Sequence, residues 1–160
     1  MSWNSRTPDL LEPVVFTGPG GPFLPEAASI RPDPTTGRGG ITPRLLALVA
    51  QLQTHGWRLS CWDPHQQNPH SDHPRGRACD VFPGTVGVLP SRAEKARTDN
   101  LVAGLQASAG QTGIHYLIWY GRIWNVSRAD EGWRPYNGGG IYDPASITGG
   151  HYDHIHISVY

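Results

Sequence analysis

Asp153-His154-Ile155-His156-Ile157-Ser158-Val159 is the stretch on which the fold turns. Ile155, Ile157 and Val159 alternate with His154, His156 and Ser158, the pattern of a strand with one face on a core and a polar opposite face. His154 and His156 leave the polar face about 6.5 to 7 Å apart, close enough to line one cleft. A regular strand would turn Asp153 to the other side.

A second stretch, Ser71-Asp72-His73-Pro74-Arg75-Gly76-Arg77-Ala78-Cys79-Asp80, runs into another expected strand, Arg77 to Phe82. Asp80 stands there among Ala78, Cys79, Val81 and Phe82, where an unpaired carboxylate is costly to bury. A bound cation removes that cost. Pro74 and Gly76 favour a tight turn that brings His73 back toward Asp80. Cys79 points away from the face carrying Asp80 and is not counted as a ligand.

Counting His70 and His151 at their edges, five of the eight histidines fall in these two stretches, beside aspartates. Imidazole and carboxylate donors in a set of three suit zinc and leave a fourth position open for a reactive water. The expected metal ligands are His73, Asp80 and His156.

Between and before these stretches the elements follow from local chemistry. Thr42-Pro43, then Leu45, Leu46, Leu48, Val49 and Leu52, then Gly56, has the N-cap, first-turn proline and glycine stop of a helix. Trp57 to Trp62 should follow as a strand. Ser91-Arg92-Ala93-Glu94 is a capping-box pattern, opening a helix with Ala96, Leu101, Val102 and Leu105 that ends before Gly110. His115 to Tyr120 and Arg122 to Asn125 suggest a hairpin around Gly121. Val126 to Gly150 reads as a long loop, uncommon unless functional. The order favours an α+β fold, a small antiparallel sheet carrying the zinc site with helices and long loops around it.

Eight of the fifteen prolines precede Leu45, so residues 1–41 read as an irregular wrap or linker and residues 42–160 as the domain proper. Thirteen basic and thirteen acidic side chains balance, which disfavours nucleic acid and anionic membrane as partners. No apolar run is long enough for a membrane span, and Met1-Ser2-Trp3-Asn4 lacks the basic start of a signal peptide. A monomer is assumed. Cys61 and Cys79 can form a disulfide in an oxidising compartment or stay as buried thiols.

Ser71, His73, Gly76, Ala78 and Asp80 together reproduce an S-x-H-x-x-G-x-A-x-D motif, which resembles that of the D-alanyl-D-alanine carboxypeptidases. His154-Ile155-His156 is similar to the His-x-His element of the wider group that includes lysostaphin-type endopeptidases and penicillin-insensitive murein endopeptidases. His70 and His151, three positions before His73 and His154, match further histidines of the murein endopeptidases. Trp57 through Asp80 and Ile118 through Val159 also resemble peptidase-like domains of actinobacterial cell-envelope proteins. The resemblance implies a zinc metallopeptidase acting on peptidoglycan peptides, as endopeptidase or carboxypeptidase, in the cell envelope or outside the cell.

Two positions depart from that pattern. Asp153 stands where the carboxypeptidases have a Glu as general base, and Trp62-Asp63-Pro64 replaces the context of their oxyanion-stabilising arginine, for which Arg58 is a weak substitute. The expected chemistry is metal-assisted hydrolysis, in which the zinc lowers the pKa of its water toward about 7. The expected catalytic residues are His154 or Asp153 as base, and His151 or His154 at the oxyanion or leaving amine. Trp119, Trp124, Trp133, Tyr136 and Tyr142 offer either stacking surfaces for substrate or cover for the core. Two other classes stand beside the peptidase: a metal-binding cell-wall module with weak or no turnover, and a structural zinc domain. The last is disfavoured because structural sites usually close with four Cys or His ligands.

Overall fold

Thr42 caps the first long helix, its hydroxyl accepting from the Leu45 amide, and Pro43 opens it. This helix, α1 (Pro43–Thr54), buries Leu45, Leu48, Val49 and Leu52 on one face. Gly56, at φ 79°, turns the chain into a strand. The computed structural model describes residues 13–26 and 31–160. The readings of residues 1–12, including that of Met1 to Asn4, lie outside the described residues.

Before α1, β1 (Arg31–Pro32) and β2 (Gly40–Ile41) make a two-stranded antiparallel pair. After it come β3 (Arg58–Ser60), β4 (Ala78–Phe82), α2 (Arg92–Ala107), the single turn α3 (Ala109–Thr112), β5 (Ile114–Trp119), β6 (Arg122–Asn125), β7 (Arg134–Pro135) and β8 (Ile155–Val159). The main sheet has six strands in the order β3-β4-β8-β5-β6-β7, and every neighbouring pair is antiparallel. The fold is α+β, as the element order predicts.

Ser91 and Glu94 form the reciprocal capping box that opens α2. Helix α2 stops at Ala107, and after Ser108 the chain makes the extra turn α3, ended by Gly113 in the left-handed region. Helix α2 thus ends before Gly110, as expected, and Gly110 belongs to the turn that follows. The β5–β6 hairpin reverses through Tyr120 and Gly121, both at positive φ (51° and 75°), which suits the twist of a two-residue turn. The stretch 126–150 is mostly irregular, but β7 within it adds a sixth strand to the sheet edge.

One face of the sheet carries Cys79, Val81, Ile155, Ile157, Val159 and Leu117, all in the core that also contains the apolar faces of α1 and α2. The Cys61–Cys79 disulfide belongs to this core. The opposite face carries the polar row. Ser60 lies opposite Asp80, Asp80 opposite His156, and His156 opposite Ile118, so register alone puts the aspartate and the histidine side by side.

The described part of the proline-rich segment packs on the same core. Phe16 is buried in it, Thr17 exchanges two hydrogen bonds with the Gln51 side chain, and the Gly20 amide donates to the Gln111 carbonyl. The boundary expected at residue 42 thus falls between segments that share one interior. Trp119 and Trp124 are core residues, and Trp133 is half-buried against them.

Candidate metal centre

Asp80 and His156 are cross-strand partners, and the loop between β3 and β4 brings His73 to them. The loop is held by short bonds. The Ser71 hydroxyl accepts from the His73 amide, Gly76 N–H donates to His73 O, and Thr42 N–H donates to Gly76 O. Gly76 sits at φ 68° where a Cβ would overlap the Gly40 carbonyl, which accounts for a glycine at that place in the motif.

Three imidazoles converge on one oxygen. His73 Nε2 is 3.3 Å, His156 Nδ1 3.4 Å and His154 Nε2 3.9 Å from Asp80 Oδ1. His73, Asp80 and His156 each offer a ligand atom within 4.8 Å of the other two. Two ligands bonded to one zinc at about 2.0–2.1 Å in tetrahedral arrangement would stand about 3.3 Å apart, which the two shorter separations match.

The outer ring nitrogens explain why the inner ones face each other. His73 Nδ1 lies 2.5 Å from the Cys61 carbonyl, an acceptor only, so Nδ1 carries the proton and Nε2 has a lone pair. His154 Nδ1 is 2.7 Å from Asp153 Oδ1 and is fixed in the same sense. These lone pairs point at a carboxylate oxygen that is buried and lacks a hydrogen-bond partner. Lone pairs aimed at an anion need a cation or a proton between them. The residues present fit a divalent metal.

Where no ion is bound, protons take that place. Burial pulls His73 down, but the Asp80 carboxylate outweighs it and brings the imidazole up to about 9. Burial would raise Asp80, yet His73 and His154 hold it well below the usual carboxylate range. His154 is raised against its burial by Asp80 and Asp153. His156 is lowered, chiefly by burial.

These groups lie in a cleft of about 380 Å³. Phe82, Val86 and Ile118 give it an apolar lining, with the Phe82 ring 5.8 Å from that of His154, and Asn68, Tyr136 and Tyr142 add polar groups. His151 also lines it, with its ring 4.4 Å from that of His154 and perpendicular to Tyr136 at 5.1 Å. Its Nδ1 is buried without a partner, and burial, followed by the charges of His154 and His156, lowers it to about 3. His151 holds φ 58°, rare for a residue with a Cβ, and its carbonyl is pinned by the Tyr120 amide at 2.8 Å.

A family profile described as "VldE, C-terminal domain" matches residues 37–152. The chain belongs to that family. The match takes in His73, Asp80 and His151 and stops just before Asp153, His154 and His156. No curated protein and no solved structure matches the chain.

His73, Asp80, His156, His154 and His151, read from the sequence as site residues, meet in this one cleft. Asp153 behaves differently. It is buried behind His154, where Oδ1 meets that imidazole and Oδ2 accepts from the Gly87 amide and the Thr148 hydroxyl. These bonds hold it below the usual carboxylate range against the effect of burial. It therefore orients His154 and is not placed to take a proton from the cleft. His70 is exposed at the rim. Arg58 is turned away, bonded to the Gly84 carbonyl and stacked over Phe82, and no arginine lines the cleft among the described residues.

Sequence reasoning missed His65, whose ring stacks on His73 at 4.6 Å, and Asp72, Ser158 and Tyr116 behind His156. Ser158 shares the phase of His156 on β8, the one signal that pointed to it.

Proposed function

We propose that this protein is a zinc-dependent peptidase that hydrolyses peptide bonds in peptidoglycan stem peptides or cross-links. The observation that carries the reading is the convergence of His73 Nε2, His156 Nδ1 and His154 Nε2 on the partnerless Asp80 Oδ1 at the floor of an open cleft. His73, Asp80 and His156 hold the ion. When bound, zinc supplies Lewis-acid chemistry, activating water and polarising a carbonyl.

The remaining steps belong to the chain. His154, fixed by Asp153 with Nε2 toward the cleft, takes the proton of the attacking water and returns it to the leaving amine. His151, neutral and lining the cleft beside His154, offers its single ring N–H to the developing oxyanion. Tyr136 and Tyr142 flank the peptide stem. The Cys61–Cys79 disulfide supports a location in the cell envelope or outside the cell, where such bonds persist.

A second reading, a metal-binding cell-wall module with weak or no turnover, is favoured by one observation: Asp153, at the place of the carboxypeptidase base, has both oxygens committed. Metal analysis with cell-wall digestion separates the two. The peptidase reading expects one equivalent of zinc, and muropeptide release that is abolished by chelator and by His154→Ala. Bound zinc without release from any wall type would favour the binding module. A His156→Ala protein with undiminished zinc would overturn the ligand set.

A further inference from the structure

Ser158 is fully buried on the site face of β8, and its oxygen lies 2.9 Å from His156 Nε2 and 2.9 Å from Asp72 Oδ2. A hydroxyl has one proton to give. The Asp72 carboxylate can only accept, so the Ser158 proton goes to Asp72, and Ser158 Oγ must then accept from His156 Nε2–H. This leaves the lone pair of His156 on Nδ1, the nitrogen 3.4 Å from Asp80 Oδ1. Tyr116 adds a second hydroxyl to Asp72 Oδ2 at 3.2 Å, and Arg75 stands 3.6 Å from Oδ1.

We propose that Asp72, acting through the Ser158 hydroxyl, is the positioning residue that sets the tautomer of His156 and so makes Nδ1 its metal-binding nitrogen. The proposal rests on the metal reading of this site. Ser158 alone is indifferent, because its hydroxyl can donate to an imidazole nitrogen as readily as accept from an N–H. Asp72 removes that choice. The two histidine ligands thereby present opposite nitrogens: His73 offers Nε2 because a carbonyl holds Nδ1–H, and His156 offers Nδ1 because a carboxylate, one hydroxyl removed, holds Nε2–H. The Tyr116 ring, stacked 5.4 Å from that of His156, keeps the imidazole in the plane this relay requires.

The test uses the full chain and zinc itself, titrated in competition with a chromophoric chelator. Ser158→Ala and Asp72→Ala should each weaken zinc binding about 10- to 100-fold, the range for losing an outer partner of a ligand histidine. The double variant should be no weaker than the worse single one, because both break one chain. Arg75→Ala, which removes only the exposed ion pair, should stay within about twofold of the parent. Nitrogen-15 spectra of the metal-free parent should show His156 protonated on Nε2, and Asp72→Ala should show a mixture. Should Asp72→Ala fail to fold, Ser158→Ala and the parent spectra decide.

Affinity unchanged within about twofold in the folded variants, or a parent His156 protonated on Nδ1, would overturn the relay. A parent that binds no zinc overturns it together with the metal reading. Weakened zinc binding in the variants, with no wall digestion by any of the proteins, supports the relay and removes the peptidase reading alone.

Discussion

At the level of single residues, Asp153 illustrates how much burial and partner count decide. Its carboxylate accepts from Gly87 N–H at 2.7 Å, Thr148 Oγ1 at 2.8 Å and His154 Nδ1 at 2.7 Å. With its side chain fully buried behind the imidazole and absent from the cleft lining, its contribution is the orientation of His154. Asp153→Ala should therefore keep one equivalent of zinc, because the three ligands are untouched. It should slow muropeptide release about 10- to 100-fold, since a freed imidazole can rotate Nε2 out of the cleft. It should also lose about 1–3 kcal/mol of stability in urea titration, because three hydrogen bonds to a buried carboxylate, from Gly87, Thr148 and His154, are lost together. Loss of zinc in this variant would instead place Asp153 among the ligands.

At the level of elements, the period-2 alternation of Ile155, Ile157 and Val159 was enough to foresee that one face of the last strand meets the core and that His156 shares its other face with Ser158. Helix caps were equally readable, because Thr42 and Ser91 act on amides three residues away. The partners of His156 were not. Ser158 meets Asp72 across 86 positions, a contact created by the register that pairs β8 with β4 and by the loop running into β4, and neither is encoded locally. The same alternation carried back turns Asp153 away from the cleft and His154 into it, and the structure places them so although the strand itself begins only at Ile155. The loop holding His73 makes a testable element of its own. Gly76 lies at φ 68°, and a Cβ there would stand 2.8 Å from Ile41 Cα as well as against the Gly40 carbonyl. Gly76→Ala combines a left-handed penalty of about 1–2 kcal/mol with that overlap. Urea titration should show at least about 2 kcal/mol lost, and zinc affinity should fall as His73 is displaced. A neutral substitution would mean that the loop can close by another path.

At the level of the whole molecule, the segment before α1 is tied to the sheet by one buried acid. Asp33 accepts from the Trp62 amide at 2.8 Å, from the Thr35 amide and hydroxyl, and from the Thr36 hydroxyl at 2.7 Å, so it joins residues 31–37 to the chain leaving β3. Burial would raise this carboxyl, but the Trp62 and Thr35 amides, followed by the two threonine hydroxyls, outweigh it and leave it below its ordinary 3.8. A folded value below the unfolded one means that the stabilisation is complete above about pH 4 and is lost as pH falls through the folded value. Asp80 and Asp153 are held low as well and add to the acid sensitivity of the parent. Comparison with Asp33→Asn cancels their share, because both proteins keep them. The stability difference between parent and Asp33→Asn, measured by urea titration, should hold level from pH 5 to 8 and narrow steadily below pH 4. A difference that persists undiminished at pH 2.5 would show that Asp33 acts through its shape alone, and that its charge does not help fasten the N-terminal segment to the domain.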